Sequence, residues 1–378
     1  MHEVHMGIGF ATGRRNFKKV LSAYIHTWKV SKQDLPEGME VKLHLFVAYD
    51  VEYRNTKSTD YTNLPQAELG SVFGPGYAGK RNAVLLAALE NHMDYFLFLD
   101  DDEYPMAVTK NHDVCLWSGQ QVFLSHLNEI ADADYTNGYH CGYISPIPHI
   151  RFNETLDEET FRCFIEAISN DIINWASIKT LMQSGGVTYA STEVLTANKA
   201  VDVPLLGGCK FISGANLCIN LKNPRKTLPF FNPPGARGED TFLSTLLKDK
   251  RIHRIPCYTF HDGFSIYHHL LDGVLPIHLS AITTESEAVN QRFLSACIGW
   301  VRYKPLLTYI TAPAEYETKM QAIKTALNQT LPALAAYFQD DRFFSIAVEF
   351  DKYAKNVKRH YNQFALARRT WERIMDVL

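Results

Sequence analysis

Asp100, Asp101 and Asp102 follow directly on an apolar run over residues 95–99, and Glu103 comes next. Carboxylates this close repel one another, which costs free energy unless something positive offsets it. A divalent cation does so. Magnesium and manganese favour carboxylate oxygens and accept phosphate and water as further ligands. Asp100 and Asp102, one residue apart, suit a ribose hydroxyl and a metal ion respectively. The plainer reading is a solvated acidic turn ahead of Pro105.

Three further segments carry the residue types of a reaction site. Ala78-Gly79-Lys80-Arg81-Asn82 precedes an apolar helical pattern. Backbone amides at a helix start attract anions, and Lys80 and Arg81 add charge. Without an anionic partner those two side chains oppose the helix dipole. Gly238-Glu239-Asp240 opens another helical stretch. A carboxylate there can act as general base on a hydroxyl, although the dipole alone also favours acids at this position. The same placement predicts a depressed carboxyl pKa, so a group that is ionised but weakly basic. His261 closes an apolar run before Asp262-Gly263. A neutral imidazole there can complete a metal site, with His268 and His269 as neighbouring competitors.

The elements that must position these residues alternate. Residues 4–10 and 41–49 read as strands, 16–30 as a helix, 80–92 as a helix after a glycine-marked loop, and 95–99 as a strand. An apolar run that does not alternate suits a strand covered on both faces. The order predicts an α/β fold with a mixed, mainly parallel sheet. In such sheets ligands bind beyond the carboxyl ends of the strands. Residues 12–15, Asp50 and residues 100–103 all fall there. Further on, 155–158 reads as a capping box opening a helix that runs to about Trp175. Residues 209–221 read as an interrupted strand, 241–248 as a helix and 253–260 as a strand.

From about residue 284 helical periodicity takes over, with a single glycine, Gly299. Phe350, Tyr353, Val357, Tyr361 and Phe364 recur at three- and four-residue steps. Seven lysines and arginines lie between residues 352 and 373 against one acid, Glu372. That basic face suits a membrane surface or a polyanionic acceptor. Equally, it is a solvated face whose apolar side packs on the rest of the chain or on a second copy. The expected organisation is a catalytic region over residues 1–283, with a nucleotide-binding half at 1–105 and an acceptor half at 106–283. A helical region follows at 284–378.

The 378 residues are 46 % hydrophobic and 21 % charged, which supports a sizeable core. A net charge of −3 argues against a nucleic-acid partner. The first fifteen residues hold no long apolar segment, and the longest apolar stretches are far too short to span a bilayer. The seven cysteines form no CxxC pair and suggest neither a disulfide framework nor a zinc site. A cytoplasmic protein, with peripheral membrane contact open, is the expectation.

In this order and at these strand ends, the segments resemble GT-A glycosyltransferases, especially the large inverting family that includes cellulose and chitin synthases. The resemblance runs from about Val4 to Gly263. Gly9-Phe10-Ala11-Thr12-Gly13-Arg14-Arg15-Asn16 looks like the first nucleotide-binding loop. Lys80-Arg81-Asn82 looks like the arginine-asparagine segment before the metal strand. Residues 96–102 look like the DxD motif, and Gly238-Glu239-Asp240 like the acidic base motif. The resemblance implies a GT-A, Rossmann-like fold. It also implies donor contacts from Thr12, Arg14, Asp50, Lys80, Arg81, Asp100 and Asp101. Asp102 and His261, with Asp100, would hold Mn2+ or Mg2+, and Asp240, or else Glu239, would be the base. Residues 208–216 look like the segment lining donor sugar and acceptor. The donor would be a UDP-sugar, with GDP open, and the acceptor a glycan, a lipid-linked molecule or a small molecule. The chain departs from the processive synthases in lacking their QxxRW-type element and membrane helices, which implies a soluble enzyme adding one or few sugars. A retaining transferase, a nucleotidylyltransferase and a non-catalytic sugar-binding module are the rival readings. The helical region matches nothing in the family, and it is the expected place for a membrane contact or a homo-oligomer contact.

Overall fold

A computed structural model describes residues 2–13, 17–49, 66–74, 76–169 and 175–378. Its strands are β1 (His2–Thr12), β2 (Met39–Tyr49), β3 (Tyr95–Phe98), β4 (Glu103–Tyr104), β5 (Met106–Asn111), β6 (Val114–Gly119), β7 (Tyr135–Gly142), β8 (Val201–Asp202), β9 (Leu217–Asn220) and β10 (Ile252–His261). Its α-helices before residue 284 are α1 (Phe17–Ser31), α2 (Gln66–Phe73), α3 (Tyr77–Glu90), α4 (Val122–Ile130), α5 (Glu158–Ile168), α6 (Trp175–Gln183), α7 (Thr192–Ala197) and α8 (Glu239–Ser244). Four more follow: α9 (Glu287–Thr311), α10 (Tyr316–Phe338), α11 (Ser345–Lys355) and α12 (Val357–Val377).

The central sheet runs β2-β1-β3-β9-β7-β10-β4, with β8 added on β10. β1 is parallel to both β2 and β3, and β7 is parallel to β10. β9 is antiparallel to β3 and β7, and β4 and β8 are antiparallel to β10. The expected mixed sheet, with most strands running one way and helices flanking it, is therefore present. β5 and β6 form a separate hairpin.

Strand pleating explains the two cores. Val4, Met6, Ile8 and Phe10 of β1 face one layer, together with Tyr95 and Leu97 of β3. Phe96 and Phe98 face the other layer, with Leu217 and Ile219 of β9. On that second face β1 carries Gly7 and Gly9, where a Cβ would run into the Phe96 ring. The helical region joins this second core rather than standing apart from it. Phe364 of α12 packs against Phe231 and Phe242 at ring distances of 5.3 and 5.9 Å. The Trp371 indole N–H donates to the Thr227 hydroxyl at 3.1 Å. Of the aromatic stripe, Phe350, Tyr353, Val357 and Phe364 are buried, while Tyr361 stays 41 % exposed. The seven basic side chains between residues 352 and 373 are exposed. Among the described residues no helix is long and apolar enough to cross a membrane. All seven cysteines are free, six of them buried.

Three local expectations need correction. The helix after the glycine loop begins at Tyr77, so Gly79 sits inside it: its missing Cβ lets the Gly74 carbonyl pack against the first turn. The helix near residue 155 is capped by Asp157, whose carboxylate accepts from the Thr160 amide at 2.8 Å, and it ends at Ile168. In the 209–221 segment only Leu217–Asn220 pairs as a strand. Residues 213–216 are held instead by Asn137, whose side-chain amide donates to the Asn216 carbonyl at 3.0 Å and whose oxygen accepts from the Ser213 amide at 3.1 Å.

Candidate functional site

β1, β3 and β10 run in the same direction, so their carboxyl ends open on one side of the sheet. A cleft of about 570 Å³ lies there. Thr12 ends β1, Asp100, Asp101 and Asp102 follow β3, and His261 ends β10. All five line the cleft, as do Lys80 and Arg81, the fourth and fifth residues of α3, and Glu239 and Asp240 from the start of α8. Arg14 and Asp50 lie outside the described residues.

Arg81 organises one wall. It is 5 % exposed and stacks on Phe98 and Phe230, with its guanidinium carbon 5.2 and 5.7 Å from the ring centres. Its Nη2 donates to Asp100 Oδ1 at 3.0 Å, its Nε to Glu239 Oε1 at 3.3 Å and its Nη1 to the Gly214 carbonyl at 2.5 Å. Burial opposes its charge, but the carboxylates of Asp100, Glu239 and Asp240 more than offset that and raise its pKa. Residue 214 packs closely on this wall: a Cβ there would sit 3.2 Å from the Arg81 guanidinium and 3.4 Å from Asp240 Cβ.

Asp240 is oriented by backbone amides. The Thr241 N–H donates to its Oδ1 at 2.8 Å and the Gly214 N–H to its Oδ2 at 3.3 Å. Its pKa is raised, not depressed as the helix start suggests. Burial is the largest cause, and it outweighs the opposing pull of Arg81 and the amides. Burial raises Glu239 in the same way. α8 has only six residues, so its dipole is weak against desolvation of two adjacent carboxyls.

The opposite wall holds Asp102 and His261. The backbone stitches them together: β4 pairs with β10 at Glu103 and His261, and the Asp262 N–H donates to the Asp102 carbonyl at 2.8 Å. His261 Nδ1 lies 2.6 Å from the Tyr143 carbonyl, which fixes that nitrogen as the donor. Nε2 then faces Asp102 Oδ1 at 3.6 Å. Anchoring one ring nitrogen on a carbonyl and turning the other to a cation is a common arrangement of metal-binding histidine. Asp100 Oδ1 is engaged by Arg81 Nη2 at 3.0 Å. Among the described residues no group of three His, Cys, Asp or Glu side chains is arranged around a metal position. Asp101 accepts a hydrogen bond from the Thr12 hydroxyl, which ties the acidic turn to β1.

Phe211 and Ile212, inside the 208–216 segment, line the cleft as well. Tyr77, Arg237, Arg292, Trp300 and Tyr303 also line it, and sequence reasoning missed them. Three come from α9. Arg292 stacks on Phe264 at 4.9 Å, and a Cβ on Gly263 would collide with its guanidinium and with the His261 ring. The one signal available was Gly299: a Cβ there would sit 3.0 Å from the Arg237 stem.

The fold and cleft define an α/β protein with a mixed-charge site at the carboxyl ends of its co-directional strands. No protein-family model matches the chain, and no curated protein matches it.

Proposed function

We propose that this protein is a GT-A-type glycosyltransferase, moving a sugar from a nucleoside-diphosphate sugar, UDP- in the first instance and GDP- in the second, to an acceptor hydroxyl. One observation carries the reading. Thr12, Lys80, Arg81, the three aspartates, Glu239, Asp240 and His261 come from distant segments and line one cleft. That combination joins anion-holding cations, a cation-holding acid and imidazole, and a separate carboxyl base.

Asp102 and His261 Nε2 would hold Mn2+ or Mg2+, with the donor diphosphate completing the ligand set. A bound cation supplies neutralisation of the charge that builds on a departing diphosphate. The chain supplies the rest. Lys80, Arg81 and Arg292 stand among the carboxylates of the cleft as cations toward an anionic donor. Trp300, half-buried at the edge of the cleft, adds aromatic surface there for sugar C–H groups. Asp240 takes the acceptor proton as the hydroxyl oxygen attacks the anomeric carbon from the face opposite the leaving group, which inverts that centre. Its two backbone hydrogen bonds fix the carboxylate without using all its lone pairs, and its raised pKa makes it a stronger base than a solvated carboxylate. Glu239 is turned to Arg81 and supports rather than accepts.

The test is nucleotide release from a panel of UDP- and GDP-sugars with manganese, using wild type, Asp102→Ala and Asp240→Asn. Release from one donor is expected, lost in Asp102→Ala together with metal-dependent donor binding. In Asp240→Asn turnover falls by about 10²–10⁴-fold while donor binding persists. Donor binding without release under any acceptor would make the protein a binding module. Absence of donor binding would refute the reading.

A further inference from the structure

A second, larger groove of about 940 Å³ adjoins the cleft. The two share Arg237 and Trp300, so whatever lies in the groove reaches the cleft past those side chains. Its floor is aliphatic, with Ile144, Pro146, Leu181 and Val187. Hydroxyls of Thr180, Ser184 and Thr188 are set among them. No acidic side chain appears among its described lining residues, and Arg237 is the one charged group there.

Arg237 is a built feature rather than a stray surface cation. Its stem lies on Gly299, the single glycine after residue 284, where a Cβ would meet Cγ and Cδ at 3.0 Å. A glycine inside the 25-residue α9 costs roughly 1 kcal/mol relative to alanine, so it needs a packing reason, and the arginine stem supplies one. Next to it on the helix, Trp300 forms the adjoining wall. The stem is thereby placed at the junction, while the residue stays exposed.

We propose that this groove is the acceptor subsite, and that Arg237 pairs with an anionic group, carboxylate or phosphate, on an acceptor whose other end is apolar. The inference rests on the glycosyltransferase reading. A donor nucleotide already has Lys80, Arg81 and Arg292 on its side of the junction. An acceptor entering over an aliphatic floor meets Arg237 just before the cleft. Hydroxyls along the groove suit the oxygens of a sugar ring, and the aliphatic floor suits a hydrophobic aglycone. A guanidinium recognises carboxylate and phosphate alike through paired N–H donors.

The probes are 4-nitrophenyl β-glucuronide, 4-nitrophenyl β-glucoside and 4-nitrophenyl β-glucoside 6-phosphate, titrated calorimetrically against the protein with UDP and manganese present. They share ring and aglycone and differ in the acid group. Both anionic probes, or one of them, should bind at least about tenfold tighter than the neutral glucoside, the gain of a charge-assisted hydrogen bond. Which one prefers the site separates carboxylate from phosphate. Arg237→Ala should erase the preference, and Thr180→Trp on the exposed face of α6 should weaken all probes while leaving UDP binding unchanged. Equal binding of charged and neutral probes, no binding of any probe, or a preference that survives Arg237→Ala would each overturn the proposal. Failure of the glycosyltransferase reading shows separately, as loss of metal-dependent UDP binding in the wild type.

Discussion

His126 shows how single residues behind the cleft set its shape. It is fully buried, and its ring nitrogens lie 2.7 Å from the Thr136 hydroxyl and 2.9 Å from Asn216 Oδ1. Asn216 adopts φ of 47°, and its amide donates to the carbonyls of Tyr139 and Cys257 at 3.2 Å each. That node holds the 213–216 segment, whose Gly214 accepts from Arg81 and donates to Asp240. Burial pushes the His126 pKa down to about 4. The unfolded chain therefore binds a proton below the ordinary value of 6.5 that the folded chain refuses until about 4. Stability contributed by neutral His126 is complete above 6.5 and is lost as pH falls toward 4, by about 3 kcal/mol. Urea titrations across pH 4–7 should show this slope in the wild type and a shallower one in His126→Gln. Parallel slopes would place the titration elsewhere. The sequence gives no hint of this node, because the histidine sits in an ordinary amphipathic helix and its partners lie 10 and 90 residues away.

At the scale of elements, the legible parts were those whose covering layers leave a simple pattern. β1, β2, β3 and β10 are apolar runs, and α1 and α3 have apolar residues at helical spacing, so their positions were readable to within a few residues. The acids and bases at their ends were readable for the same reason, since strand ends are where chemistry collects. β7 was not. Its sequence is Tyr-Thr-Asn-Gly-Tyr-His-Cys-Gly, and its buried Thr136 and Asn137 are satisfied by distant partners that no local pattern reveals. α8 carries a sharper lesson. Its N-cap is Gly238 with φ of 92°, and a Cβ there would sit 3.0 Å from the Tyr303 ring of α9. Glycine is thus required twice, by backbone and by packing. Gly238→Ala should cost about 1–2 kcal/mol for the left-handed conformation alone. It should also push α8 and α9 apart, so turnover should fall more than UDP affinity does. Both are measurable on one purified variant by denaturant unfolding and nucleotide release. An unchanged midpoint with unchanged turnover would show that neither constraint operates.

At the scale of the molecule, the change of pattern near residue 284 is a change of secondary structure and not an edge of the core. α9 contributes Arg292, Trp300 and Tyr303 to the cleft, and α12 contributes Phe364 and Trp371 to the layer that covers Phe231 and Phe242. The sequence showed that these helices exist, from their periodicity. It did not show which face meets the sheet, because helix register against a distant strand is set only by tertiary packing. Two consequences follow from a shared core. A chain ending at residue 283 would expose the buried faces of Phe231 and Phe242, and it would lose three cleft-lining side chains. Such a fragment should show no cooperative unfolding transition and no metal-dependent UDP binding. Phe364→Ala in the full chain removes a 3 % exposed ring between two others and should cost about 3–5 kcal/mol, with a single transition retained. A fragment that unfolds cooperatively, together with a Phe364→Ala cost below about 1 kcal/mol, would mean that the helices only lean on an independent sheet. A single shared transition means that the helical region is as much a part of the site as the strands that carry its acids.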